Sequence, residues 1–136
     1  MSTRHLIDPE LIALLDGFPA TDLTADQLPT MRARQAQAAL MAEIAPGVEV
    51  GEVHSAPYET SPGARMRTYR PKGRSDRLPV YLHIHGGGYV SGSPEGSGTR
   101  NSQLANELGC IVASVDYRLA PEWPYPNALH DCSSAL

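Results

Sequence analysis

The sequence predicts an α/β fold built on a mixed sheet of about four strands, and three stretches carry that prediction. Val80–Ile84 is a short apolar run that empties into three glycines, Gly86, Gly87 and Gly88. Cys110–Val115 (CIVASV) is nearly continuous in apolar residues, as expected of a parallel strand covered on both faces. Between them Ser97–Leu108 places Leu104, Ala105 and Leu108 on one side of a helix that Gly109 ends. Strand, helix and strand in that order form a βαβ unit with a right-handed crossover.

The chain before this unit changes period twice. Residues 8–18 read as a short amphipathic helix with Asp8 as N-cap, Pro9 in the first turn, and Leu11, Ile12, Leu14, Leu15 and Phe18 as its stripe; Gly17 and Pro19 end it. A second helix starts at Thr24, which has capping-box spacing to Gln27, or at Pro29. It runs to about residue 45, where Pro46 and Gly47 close it. From Val48 the pattern alternates, with Val48, Val50 and Val53 against Glu49, Glu52 and His54, which predicts a half-exposed strand. Residues 64–69 give a second strand antiparallel to it, and the polar turn 71–79 leads into Val80. After the last apolar strand, the proline-rich segment 116–126 precedes a helix from Asn127. The resulting division is a helical segment over 1–46 and a sheet-bearing core over 47–136.

Composition narrows the function classes. At 136 residues and 41% hydrophobic content the chain can bury one core. A net charge of −4, with Lys72 as the one lysine and the arginines scattered, leaves no basic footprint, so no nucleic-acid partner is expected. No apolar run approaches the ~20 residues of a membrane span. The N-terminus, broken by Asp8, Pro9 and Glu10, does not resemble a secretory signal, and a cytoplasmic location is expected. Cys110 and Cys132 are read as reduced thiols.

The triple glycine admits several chemistries. A phosphate loop would need G-x-x-x-x-G-K-[ST], and a dinucleotide turn G-x-G-x-x-G opening directly into a helix; neither is present. His83 and His85 share a strand face and could bind a metal, but no further ligand stands at a recognisable spacing, so no metal site is assigned. What remains is a turn whose side-chain-free backbone can bring N–H groups against an anion. His85 is expected to support that turn by hydrogen bonding and His83 to be structural.

HGGGY at 85–89, a Gly/Ser-rich loop, a helix, an apolar strand and DYRLAPEWPYP at 116–126, in this order, resemble the hormone-sensitive-lipase family of α/β-hydrolases, the bacterial family IV esterases. The resemblance covers roughly residues 48–136, and residues 1–46 fall where that family carries part of a cap over its acyl pocket. It implies a serine carboxylic-ester hydrolase without a dissociable cofactor, acting on a small-molecule ester. Gly87 and Gly88 would supply the oxyanion-hole N–H groups, Gly86 and His85 would shape and support the loop, and Tyr89 would line the pocket mouth. Asp116, Arg118 and Glu122 would be structural, with Arg118 forked onto a carboxylate. The family's scaffold also hosts non-hydrolytic receptors of the gibberellin type, and amidases and formamidases share a similar loop.

The nucleophilic half of such a site is missing. The chain contains no G-x-S-x-G, and adjacent His130 and Asp131 would point about 100° apart on a helix, which precludes a mutual triad role. Nucleophile, acid and base are therefore expected beyond Leu136. The fold is expected to be incomplete, with its third strand an open apolar edge, and the chain alone inactive. A second copy or a complementing C-terminal segment could cover that edge; a truncated product without function is the remaining reading.

Overall fold

A computed structural model describes residues 4–17 and 24–136. In chain order it contains α1 (Pro9–Asp16), α2 (Leu28–Ala39), β1 (Val48–His54), β2 (Arg65–Pro71), β3 (Val80–Ile84), α3 (Gly98–Leu108), β4 (Ile111–Asp116) and α4 (Asn127–Ser134), with single 3-10 turns at Arg4–Leu6 and Glu95–Ser97.

The first helix starts as the sequence predicts. The Asp8 carboxylate accepts from the Glu10 N–H at 2.9 Å and Pro9 occupies the first turn. Gly17 closes it through its N–H to Leu14 and Leu15. Phe18 and Pro19 lie outside the described residues. The stripe Leu11, Leu14 and Leu15 remains exposed.

The second helix is shorter than its composition predicts. Thr24 and Gln27 do meet, through a long Thr24 N–H bond of 3.4 Å to Gln27 Oε1, but residues 25–27 form a turn and the helix begins at Leu28, with Pro29 in its first turn. It stops at Ala39, not near residue 45. Met41 and Ala42 donate to Ala38 and Ala39, tightening the last turn. Ile44 and Ala45 then leave the helix for the core, and the Ala45 N–H donates to Ser102 Oγ at 2.9 Å. Tertiary packing overrides helix propensity over these residues.

The four strands form one mixed sheet in the order β1-β2-β4-β3, antiparallel except for the parallel pair β3/β4. Register is fixed by Val50↔Tyr69, Tyr69↔Val112 and Leu82↔Ala113. The period of two divides the core. Val112 and Tyr69, both fully buried, pack with Val48, Cys110 and Ala105 on the α3 face, while Ala113 and Val115 pack with Ala64, Met66, Tyr117 and Ala128 on the α4 face. Each fully buried valine contributes roughly 1.5–3 kcal/mol of transfer free energy.

Helix α3 departs from its predicted stripe. Leu108 is 63% exposed, whereas Asn101 and Ser102 are buried. Both polar side chains have partners that make burial tolerable: Ser102 bridges Ala45 N–H and Thr99 O, and Asn101 Nδ2 donates to His83 Nδ1 at 3.3 Å. Gly109, at φ 62°, ends the helix in the left-handed region. Among the described residues β3 is one of the two sheet edges, β1 being the other, and Val80, Tyr81 and Ile84 stand 63%, 49% and 51% exposed along it, as the apolar-edge expectation requires.

Candidate active site

Strand β3 delivers the glycines at its C-terminal end, beside its parallel partner β4. This is the end at which open α/β sheets place their ligands. Three successive residues then adopt positive φ: Gly87 at 131°, Gly88 at 61° and Tyr89 at 63°. The reversal is closed by one carbonyl. Gly87 O accepts from the Val90 N–H at 3.2 Å, the Ser91 N–H at 3.1 Å and the Ser91 hydroxyl at 3.2 Å. A Cβ on Gly87 would collide with the Ser91 carbonyl, and one on Gly92 with the Gly86 carbonyl and the His85 ring. Gly88 has open space around it but needs its positive φ; Gly86 has open space and no positive φ. Among the described residues no hydrogen bond uses the Gly87 or Gly88 N–H as donor.

His85 is buried directly beneath the turn. Its Nδ1–H donates to Gly86 O at 2.9 Å, which fixes the tautomer, since a carbonyl can only accept. The ring stacks on Tyr117 with centroids 4.2 Å apart, and the Tyr117 hydroxyl donates to His85 O at 2.7 Å. Burial raises the Tyr117 phenol above its ordinary range, so it remains a donor. His83 stays apart from this arrangement, with Nδ1 2.8 Å from Ser114 Oγ; burial, then nearby His85 and Arg100, holds its pKa below the usual imidazole value.

The loop after β4 forms the adjoining wall. Arg118 forks onto buried Asp131 through Nε and an Nη atom at 2.8 Å each, its backbone N–H adds a third bond at 2.8 Å, and its guanidinium lies over Trp123. Burial would push the Asp131 carboxyl up, but the Arg118 contacts prevail and hold it low. Asp116, at the end of β4, is paired to Arg65 at 2.7 Å and Glu122 to Arg32 at 2.8 Å, so all three charged side chains of residues 116–126 serve in ion pairs. His130 Nδ1 meets Thr60 Oγ1 at 2.8 Å rather than Asp131. Between the turn and α4 runs an apolar groove of about 470 Å³ lined by Ile84, Tyr89, Trp123, Tyr125, Leu129 and Cys132. Burial lifts the Cys132 thiol to about 11, and both cysteines are free.

Two contributors had no sequence motif. Arg32 and Gln35, one helical turn apart on α2, both reach the backbone that follows the glycines: Arg32 Nε donates to Val90 O at 2.8 Å and Gln35 Oε1 accepts from the Gly92 N–H at 3.1 Å. Their i, i+3 spacing was the one available signal, and it is common on solvated helices. Among the described residues no cluster of three His, Cys, Asp or Glu side chains could hold a metal ion, and no helix is long and apolar enough to cross a membrane.

Comparison with known proteins agrees with this fold. Residues 81–136 match a family described as alpha/beta hydrolase fold. The chain is 38% identical to the carboxylesterase NlhH of Mycobacterium tuberculosis over 133 residues, which covers 98% of the chain and 41% of that protein. It is 34% identical over 86 residues to the hormone-sensitive lipase of Bos taurus, covering 63% of the chain and 11% of the lipase. A solved bacterial heroin esterase superposes with a TM-score of 0.77 at 36% identity over 99% of the chain and 43% of its own length. The chain thus spans about two-fifths of the length of the carboxylesterase NlhH and of the heroin esterase. In sequence and fold the chain resembles the hormone-sensitive-lipase-like α/β-hydrolases over the part of that fold it spans.

Proposed function

We propose that this chain contributes the electrophilic half of a serine carboxylic-ester hydrolase, with the Gly87 and Gly88 N–H groups as the oxyanion hole. The observation that carries the reading is the pair of left-handed glycines at the C-terminal end of β3 whose N–H groups have no acceptor among the described residues. When a nucleophile adds to an ester carbonyl, negative charge gathers on the former carbonyl oxygen. Donors already fixed at that point stabilise it without reorganising, and removing one costs about 10²- to 10³-fold in rate. His85 and Gly86 support the turn from below, and Tyr89 and the apolar groove beside it offer the acyl group or alcohol an apolar wall. Names of the relatives support an ester as the substrate class.

The nucleophile, its base and the orienting acid are assigned to the part of the protein beyond these residues, since no G-x-S-x-G occurs among them. On this reading residues 1–46 act as a cap segment on the core of 47–136, and a C-terminal segment pairs with the β3 edge. Turnover of p-nitrophenyl esters from acetate to octanoate tests it. Full-length protein carrying this chain should hydrolyse them with a serine-dependent burst, and the 136-residue chain alone should not. Inactive full-length protein, or serine-dependent hydrolysis by the chain alone, would overturn the assignment.

A further inference from the structure

We infer that Arg32 is a positioning residue for the Gly87 and Gly88 donors, holding three parts of the site in one geometry from outside it. The direction of those two N–H groups is set by the residues that follow them, because Gly87 O is closed onto Val90 and Ser91. Each residue flanking that closure is pinned to another element. Tyr89 O accepts from the Ala120 N–H at 2.9 Å, Val90 O from Arg32 Nε at 2.8 Å, and the Gly92 N–H donates to Gln35. The Arg32 fork then continues to Ala120 O at 2.7 Å and to both Glu122 carboxylate oxygens at 2.8 and 3.0 Å.

Ala120 is therefore held from both sides of its peptide, by the glycine turn through its N–H and by Arg32 through its carbonyl. Arg32 spans α2, the oxyanion turn and the loop after β4 with one planar side chain that is 26% exposed. Only a guanidinium can do this. A lysine could retain the charge opposite Glu122, but its single ammonium lacks the fixed fork that meets two carbonyls and a carboxylate at once. The contact thus couples the seating of α2 to the aim of the donors.

The kinetic consequence rests on the oxyanion-hole reading; the structural one does not, and hydrogen exchange separates them. In full-length protein, Arg32→Ala and Arg32→Lys should both speed exchange of the hydrogen-bonded Val90, Ser91 and Gly92 amides by about tenfold or more, leaving the β4 peptide 111–116 within about twofold of wild type. Both should lower kcat on p-nitrophenyl acetate by about 10- to 100-fold with KM changed less than about threefold, the signature of misaligned donors. Glu122→Gln, which removes the ion pair and keeps both carbonyl bonds, should stay within about threefold in kcat. Wild-type exchange and kcat in Arg32→Lys would overturn the inference, as would accelerated exchange extending equally into β4, or faster turn exchange with unchanged kcat. If wild-type full-length protein shows no esterase activity, the functional reading fails and exchange alone decides on the clamp.

Discussion

Tyr117 holds His85 twice, through a ring stack at 4.2 Å and through a hydroxyl bond of 2.7 Å to the histidine's own carbonyl. The residue that opens the loop after β4 is thereby fastened to the residue that opens the glycine turn. Tyr117→Phe keeps the stack and deletes the bond, leaving a buried carbonyl without its donor. We expect a loss of about 1–2 kcal/mol in urea unfolding of full-length protein. A midpoint unchanged from wild type would show that water replaces the hydroxyl.

The three glycines should not respond alike. Gly87→Ala drives a methyl into the Ser91 carbonyl and should abolish both the turn and ester hydrolysis. Gly88→Ala has room but pays for its left-handed φ of 61°, roughly 1 kcal/mol. Gly86→Ala meets neither obstacle, and its thermal midpoint should match or exceed wild type. Melting curves of the three variants side by side give the ranking.

Acid stability should depend on Asp131. Its folded pKa lies below the ordinary aspartate value because Arg118 outweighs burial. A depressed carboxylate stabilises fully above its unfolded pKa of about 4, and that contribution drains away as pH falls through the lower folded value. Asp131→Asn should cost roughly 2–3 kcal/mol at pH 7 and flatten the acid limb of the stability profile below about pH 4. An acid limb of unchanged steepness in the variant would assign it to other carboxylates.

Cys132 should be a slow thiol. With its pKa lifted to about 11 by burial, only a small fraction is thiolate at pH 8. Alkylation by iodoacetamide should run at least about tenfold slower than for an unperturbed cysteine. Rapid labelling in the native protein would mean that α4 opens.

The apolar β3 edge should make the 136-residue chain associate when it is alone. Size-exclusion chromatography should show concentration-dependent species above the monomer, reduced by Ile84→Lys, which places a charge on the edge. A monodisperse monomer across the concentration range would remove the edge as a driving surface.

What the sequence revealed follows from how each signal is written. Val80–Ile84 and the apolar run near 111–115 declare themselves by side-chain type, and Gly87 and Gly88 by the φ only glycine takes cheaply. The family resemblance implied a carboxylate partner for Arg118, and Asp131 supplies it. The end of α2 was misplaced because Ile44 and Ala45 are drawn off by the core, a competition that no local pattern records. Arg32 escaped for a related reason. Its partners are the carbonyls of Val90 and Ala120, and backbone acceptors are the same in every residue.

The sheet order carries a consequence for how this protein is made. Strand β4 is synthesised after β3 yet lies between β2 and β3. A nascent chain must therefore leave a vacant lane beside β2 until residues 111–116 emerge, because β3 has no neighbour to dock on before then. The glycine turn gains a fixed strand beneath it only when that lane is filled. Tyr117, the next residue out, then closes over His85, and Ala120 follows three residues later to pin Tyr89.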